Sequence, residues 1–150
     1  MKESPQEHKV RERMAALSRD GFMGPDSRAI AEVIEADRSE LEAMGLTAAQ
    51  VADRLELVLH KATDNLGRTV MAMEHLEVSC HEAMGRIPCP WGGCGLFAKG
   101  EIEALDRRTG ARSLFTPLSI HLIRVHGFFE GKGARYRLEP RQVAQMLDLL

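Results

Sequence analysis

Two cysteines and two histidines constrain the fold of this chain more than any other feature. Cys89 and Cys94 lie five residues apart, and 26 residues separate Cys94 from His121, which lies five residues before His126. Two thiolates and two imidazoles make up the four-ligand set of a closed Zn²⁺ site, and mixed sulfur and nitrogen donors favour zinc over iron or copper. The spacing therefore predicts that both pairs bind one zinc ion.

The segments around these residues predict how the ligands are presented. The Cys-Pro start and Cys-Gly end of 89–95 favour a tight turn whose N–H groups point at the sulfurs and stabilise thiolates. His121 and His126 are expected on a helix that begins after Thr116 and ends before Gly127. Because five residues rotate an ideal helix by about 140° net, a shared ion predicts a loosened last turn.

A β-hairpin is predicted between the two pairs. Residues 101–106 alternate between polar and apolar side chains, residues 107–110 have the composition of a turn, and residues 111–115 can form the returning strand. A hairpin at this position would bring the cysteines towards the histidines. The alternative is that the cysteines are ordinary buried thiols and that His121 binds a loop carbonyl.

This order of knuckle, hairpin and helix resembles the zinc fingers of the two-Cys, two-His type, and also the treble-clef fingers. The resemblance depends on Cys89, Cys94, His121 and His126 and covers about 40 of the 150 residues. The common nucleic-acid-binding finger has about 12 residues between its two pairs, far fewer than this chain. The resemblance therefore implies metal ligation and does not extend to base-reading positions.

Residues 1–85 repeat apolar side chains every three or four positions, which is the period of one helix face. The sequence predicts four helices, at about 5–18, 28–44, 48–62 and 68–84. Thr47 is expected to cap the third helix, and Cys80 is expected as a partly buried thiol of the fourth. The solvated faces of these helices are expected to carry His60, His75 and His81.

These elements predict an α+β protein that is mostly α and has two regions. Residues 1–85 would form a helical bundle, whose thin apolar stripes suggest a homodimer. Residues 86–150 would form a small zinc-stabilised module of hairpin and helix. A strand or extended arm at 134–138 and a final helix from Pro140 through Leu150 complete the module.

The composition favours a soluble globular protein, with 44% apolar and 28% charged residues. No apolar run approaches the roughly 20 residues that cross a bilayer, and the first residues lack the apolar centre of a secretory signal. Three cysteines, an odd number, argue against a disulfide scaffold. We therefore expect a cytoplasmic protein without membrane contact.

Charge is distributed unevenly along the chain. Residues 1–85 have a net charge of −6 and residues 86–150 a net charge of +4. Either the two regions attract each other or the basic region binds an anionic partner. The candidate contacts to nucleic acid or another anion are Arg124, Lys132, Arg135 and Arg137. In the alternative, these cations only surround a core that contains the neighbouring phenylalanines.

The predicted function follows from the ligand count. Four protein ligands leave no open position for water, so such a zinc site is structural rather than catalytic. We expect a non-enzymatic zinc protein that acts as a binding or regulatory module, with nucleic acid or another protein as partner. The alternative is a metal-dependent hydrolase whose zinc keeps an open position between the two regions.

Overall fold

The computed structural model describes residues 3–18 and 21–150, and its fold is α+β and mostly α. The described residues form five helices, a four-stranded antiparallel sheet and a two-stranded ribbon. The helices are α1 (Pro5–Leu17), α2 (Ile30–Ala43), α3 (Ala48–Thr63), α4 (Pro117–His126) and α5 (Pro140–Met146). The strands are β1 (Val70–Met73), β2 (Leu76–His81), β3 (Arg86–Pro88), β4 (Leu96–Ala98), β5 (Glu101–Asp106) and β6 (Arg112–Phe115). In this part of the chain, no helix combines the length and the apolar character needed to cross a membrane.

The first three helices confirm the sequence prediction. Ser4 accepts a hydrogen bond from the backbone N–H of Glu7 at the start of α1. Thr47 and Gln50 form a capping box at the start of α3, where each side chain bonds the other residue's backbone N–H. Gly45 adopts a φ of 73° directly after α2, a left-handed conformation that favours glycine at helix ends.

The predicted fourth helix at 68–84 is wrong, so the predicted bundle of about four helices has only three. A hairpin of β1 and β2 occupies this segment. In β2, Leu76, Val78 and Cys80 are buried while the residues between them point outward, which is the two-residue period of a strand. The same apolar positions also match a helical spacing, and the alternation decides the outcome because it lets β2 pair with β5.

The main sheet has the order β1-β2-β5-β6, and all its pairs are antiparallel. Strands β5 and β6 confirm the predicted hairpin. Strands β2 and β5 pair over six residues each, from Leu76 opposite Asp106 to His81 opposite Glu101. This pairing crosses the predicted boundary between 1–85 and 86–150, and one sheet therefore contains strands from both predicted regions.

Two hydrophobic clusters form the core, and α4 contributes to both. The first cluster lies around α3, the sheet and α5, and it includes Ile120 and Ile123 of α4. The second lies around α1, the start of α2 and the end of β3, and it includes Leu118 and Leu122 of α4. Helix α4 thus lies between the two clusters, which fixes its position in the molecule.

The C-terminal segment differs from the prediction in two respects. Residues 134–138 form turns rather than a strand, with the N–H of Ala134 bonded to the Gly131 carbonyl and that of Arg137 bonded to the Ala134 carbonyl. The last helix ends at Met146 rather than Leu150, because Asp148 adopts a left-handed φ of 57° and the Leu149 N–H returns to the Ala144 carbonyl. These turns bring the chain back over its own core.

Candidate metal centre

The two cysteines lie in the turn that joins β3 to β4. Cys89 directly follows β3, and its carbonyl accepts a hydrogen bond of 2.9 Å from the Gly92 N–H. Gly92, Gly93 and Gly95 have φ values of 83°, 71° and 89°, so three residues of this turn adopt conformations that side chains disfavour. The tight turn predicted from the Cys-Pro start and the Cys-Gly end is confirmed, and it brings Cys94 close to Cys89.

The two histidines lie on α4 as predicted. A capping box of Thr116 and Ser119 starts this helix, and Gly127 ends it with a φ of 63°. The last turn keeps its helical hydrogen bond from the Gly127 N–H to the Ile123 carbonyl, at 3.0 Å. The expected loosening of this turn is therefore wrong. His121 and His126 instead meet edge to face, with 5.4 Å between their ring centroids.

The side chains of Cys89, Cys94, His121 and His126 form a single cluster. One donor atom from each residue can be chosen so that all four lie within 4.8 Å of one another. The Cys89 sulfur lies 3.4 Å from Nε2 of His126, and the Cys94 sulfur lies 3.9 Å from the same nitrogen. The structure thus brings together all four predicted ligands, and this cluster could hold a metal ion.

The distances fit a tetrahedral ion. Zinc–sulfur bonds of about 2.3 Å and zinc–nitrogen bonds of about 2.0–2.1 Å place tetrahedral sulfur and nitrogen ligands about 3.6 Å apart. The two sulfur–nitrogen distances, 3.4 and 3.9 Å, lie on either side of that value. A second indication of a metal site is Nε2 of His121, which is buried and has no hydrogen-bond partner among the described residues. A buried nitrogen without a partner is costly, and a metal ion would bind it.

Burial controls the protonation of the cluster. It raises the pKa of the Cys89 thiol to about 11, against the backbone N–H groups of Trp91 and Gly92, which favour the thiolate. Burial also lowers the pKa of both histidines, His121 further through the charge of Arg124 and His126 further through His121. Neutral imidazoles are the form that binds metal, whereas the buried Cys89 thiol needs a cation to become a thiolate.

Aromatic rings and one arginine hold the ligands in place. Trp91 stacks on the His126 ring at a centroid distance of 4.2 Å, and Phe97 of β4 lies 4.5 Å from the His121 ring. Arg13 of α1 donates hydrogen bonds to the carbonyls of Pro90 (3.3 Å) and Trp91 (3.1 Å) in the cysteine turn. Sequence reasoning missed Trp91 and Arg13. The position of the tryptophan between the two cysteines was the available signal.

Two of the arginines predicted to contact an anion form ion pairs near the surface. Arg124 bonds Asp53 at 2.8 Å and Glu56 at 3.1 Å, which joins α4 to α3. Arg135 bonds Glu101 of β5 at 2.8 Å. The Arg124 contacts fit the idea that the acidic and basic regions attract each other, whereas the Arg135 contact lies within residues 86–150. The predicted contact with nucleic acid stays a prediction.

The other two predicted anion contacts, Arg137 and Lys132, differ in their surroundings. The Arg137 side chain is only 5% exposed and binds Asp37, which is 4% exposed, with one N···O distance of 2.9 Å. Its Nη1 also donates to the Glu130 carbonyl at 2.8 Å. Lys132 is exposed, and its backbone N–H donates to Asp26. The four basic side chains therefore do not converge on one described site.

The remaining histidines do not join the cluster. His75 was expected on a helix surface, but it is buried in the β1–β2 turn, where Nε2 lies 2.8 Å from the Met146 carbonyl. This contact joins the turn to α5. His60 lies exposed on α3, and His81 lies exposed at the end of β2, where Nε2 is 3.5 Å from Glu103. The role of His75 follows from a contact between distant segments, which no local pattern reveals.

Comparisons with protein families, with characterised proteins and with solved structures give no match to this chain.

Proposed function

We propose that this protein binds one Zn²⁺ ion through Cys89, Cys94, His121 and His126, and that the ion is structural. The observation that carries the proposal is the convergence of four metal-type donor atoms within 4.8 Å from two segments of the chain. Two sulfurs and two ring nitrogens suit zinc, and four protein ligands complete its preferred tetrahedron. The ion would then have no open position at which to activate water.

The need for such an ion is greatest in the β3–β4 ribbon. The ribbon has two strands of three residues, and an isolated two-stranded ribbon is marginal in water. Its Leu96 is 60% exposed, and its Ile87 and Phe97 are only partly buried against the second cluster. A bound ion would fix the ribbon to α4, and binding free energy would become folding free energy. We therefore propose that the ion stabilises the fold. We also propose that the protein is a binding or regulatory module.

Metal analysis together with X-ray absorption tests this proposal. The purified protein is expected to contain one zinc per chain, with two sulfur neighbours at about 2.3 Å and two nitrogen neighbours at about 2.0–2.1 Å. Cys80→Ala is the matched control, because this cysteine is buried in β2 outside the cluster. A protein that binds no zinc, or a Cys89→Ala variant that keeps it as tightly as the control, would contradict the assignment.

The same spectrum separates the structural ion from the alternative of a hydrolase. An oxygen neighbour in place of one nitrogen or sulfur would indicate bound water and an open position, which hydrolytic chemistry needs. The salt dependence of binding affinity distinguishes a nucleic-acid partner from a protein partner, because it is steep when phosphates are contacted. The proposed homodimer is tested by sedimentation of the zinc-loaded chain.

A further inference from the structure

A second site is a cavity that none of the four proposed metal ligands lines. It has a volume of about 270 Å³ and lies between the end of α1, strand β3, the start of α4 and the segment after Phe129. By liquid volume it has room for roughly nine water molecules, at about 30 Å³ each. Phe22, Ile87 and Leu118 form apolar parts of the wall, and Glu130 is the acidic residue among the lining residues that the structure describes. A mostly apolar cavity with a few polar groups is the usual form of a small-molecule site.

Glu130 is an unusual residue to find in this wall. It is only 4% exposed, and its carboxylate forms no hydrogen bond or ion pair with any described residue. Burial raises its pKa to about 8, against the charge of Arg137. A buried acid without a partner destabilises a fold unless something outside the chain binds it.

The backbone holds Glu130 in place despite this cost. Its φ is 69°, in the left-handed region that side chains disfavour. The N–H of Gly131 donates to the Phe22 carbonyl at 2.8 Å, and a Cβ at Gly131 would lie 2.2 Å from the Met23 carbonyl oxygen. The segment is thus docked backbone to backbone, and Arg137 bonds the Glu130 carbonyl from the other side. Strain of this kind is concentrated at functional sites.

The charges at the mouth of the cavity show which end of a ligand would face outward. Arg135 and Tyr136 both bond Glu101, at 2.8 and 2.7 Å, so their polar groups are already paired. Lys99 is exposed at the rim and has no ion-pair partner among the described residues. Among the described residues, Glu130 is therefore an acid without a partner in the wall, and Lys99 is an ammonium without a partner at the rim.

We propose that this cavity binds a small organic amine, whose apolar body lies against Phe22, Ile87 and Leu118 and whose ammonium pairs with Glu130. An ammonium supplies the charge and the hydrogen-bond donors that the buried carboxylate lacks. Lys99 favours a neutral or carboxylate group at the outer end over a second positive charge. The class therefore includes monoamines and free amino acids with apolar side chains, and it excludes diamines.

The test measures binding of three matched probes to the zinc-loaded full chain. Phenethylamine and phenylalanine carry an amine on the same apolar body, whereas 3-phenylpropionate carries only a carboxylate. NMR titration is expected to shift the methyl signals of Leu17, Ile87 and Leu118 with both amines, and to leave Val78 of the other cluster unchanged. Glu130→Gln is expected to weaken phenethylamine binding about ten-fold or more, because a hydrogen-bonded charge pair is lost.

Glu12→Gln on α1 is the control variant, since it removes the same charge from an exposed position outside the cavity. It should bind phenethylamine as the wild type does. Glu130→Gln should remain folded, because glutamine has nearly the size of glutamate and brings no charge into the buried site, and circular dichroism checks this. Tighter binding of 3-phenylpropionate than of phenethylamine, equal affinity in the Glu130 variant, or no shift at these methyl groups would each overturn the proposal.

Discussion

The Cys89 sulfur lies 3.4 Å from Nε2 of His126, although 37 positions separate the two residues in the chain. One atom belongs to a turn between short strands and the other to the last turn of a helix. The contact is held by Trp91, which stacks on the histidine ring, and by Arg13, which bonds the carbonyl of that tryptophan.

Removing the Cys89 thiol should abolish the dependence of stability on metal. A ligand that binds only the native state raises stability, so a chelator is expected to lower the melting temperature of the wild type. In Cys89→Ala the melting temperature should be low already and should not respond to the chelator. Thermal unfolding with and without chelator measures this, with Cys80→Ala as the variant that keeps the wild-type response.

Replacing His121 with phenylalanine should change stability in opposite directions with and without metal. In the metal-free protein the substitution removes a buried nitrogen that has no described partner and keeps a ring against Phe97, so stability should rise by about 1–3 kcal/mol. In the metal-loaded protein it removes a ligand, so stability should fall. Denaturant unfolding under both conditions tests the sign. A change of stability in the same direction with and without metal would show that this nitrogen does not bind the ion.

Glu130 should make stability depend on pH. Its pKa lies at about 8 in the folded chain against an ordinary value of 4.5, so the folded state keeps a proton that the unfolded state has lost. The resulting stabilisation is complete below about pH 4.5 and is lost as pH rises to about 8. The free energy of unfolding of Glu130→Gln, taken relative to that of the wild type, should therefore increase by on the order of a few kcal/mol as the pH rises from about 6 to about 8.5.

That comparison uses the difference between the two proteins at each pH, so the titration of other groups cancels. A constant difference for Glu130→Gln would mean that this carboxyl titrates normally in the folded protein.

The buried pair of Arg137 and Asp37 should be far more sensitive to single than to double substitution. Both side chains are at least nineteen-twentieths buried, and Arg137 also bonds Glu139 at 3.0 Å, so it is the loss of the arginine that leaves a buried charge without a described partner. Arg137→Met alone is expected to cost about 3–5 kcal/mol. Asp37→Leu combined with Arg137→Met should recover part of that loss. Denaturant unfolding of the two single variants and of the double variant measures the three losses of stability. A double variant that loses the sum of the two single losses would argue against direct coupling.

Local patterns predicted the elements whose ends carry strong signals. Thr116, Pro117 and Gly127 mark α4 without reference to the rest of the chain, and the spacing of the four ligands marks the metal centre. The β1–β2 hairpin was misread as a helix, because Val70, Met73 and Leu76 also satisfy a helical period. Its identity depends on pairing with β5, which begins twenty positions after the end of β2. The buried state of Glu130 similarly depends on segments that are distant in sequence.

Helix α4 forms a wall of both hydrophobic clusters and also carries two of the four candidate ligands. A fragment that stops before Pro117 loses that wall in both clusters at once, and a fragment that starts after Gly85 loses α1, α2 and α3 from them. Neither half contains a complete interior. Shortening the protein from either side is therefore a poor route to an autonomous folding unit, and the whole chain is the unit that should unfold cooperatively.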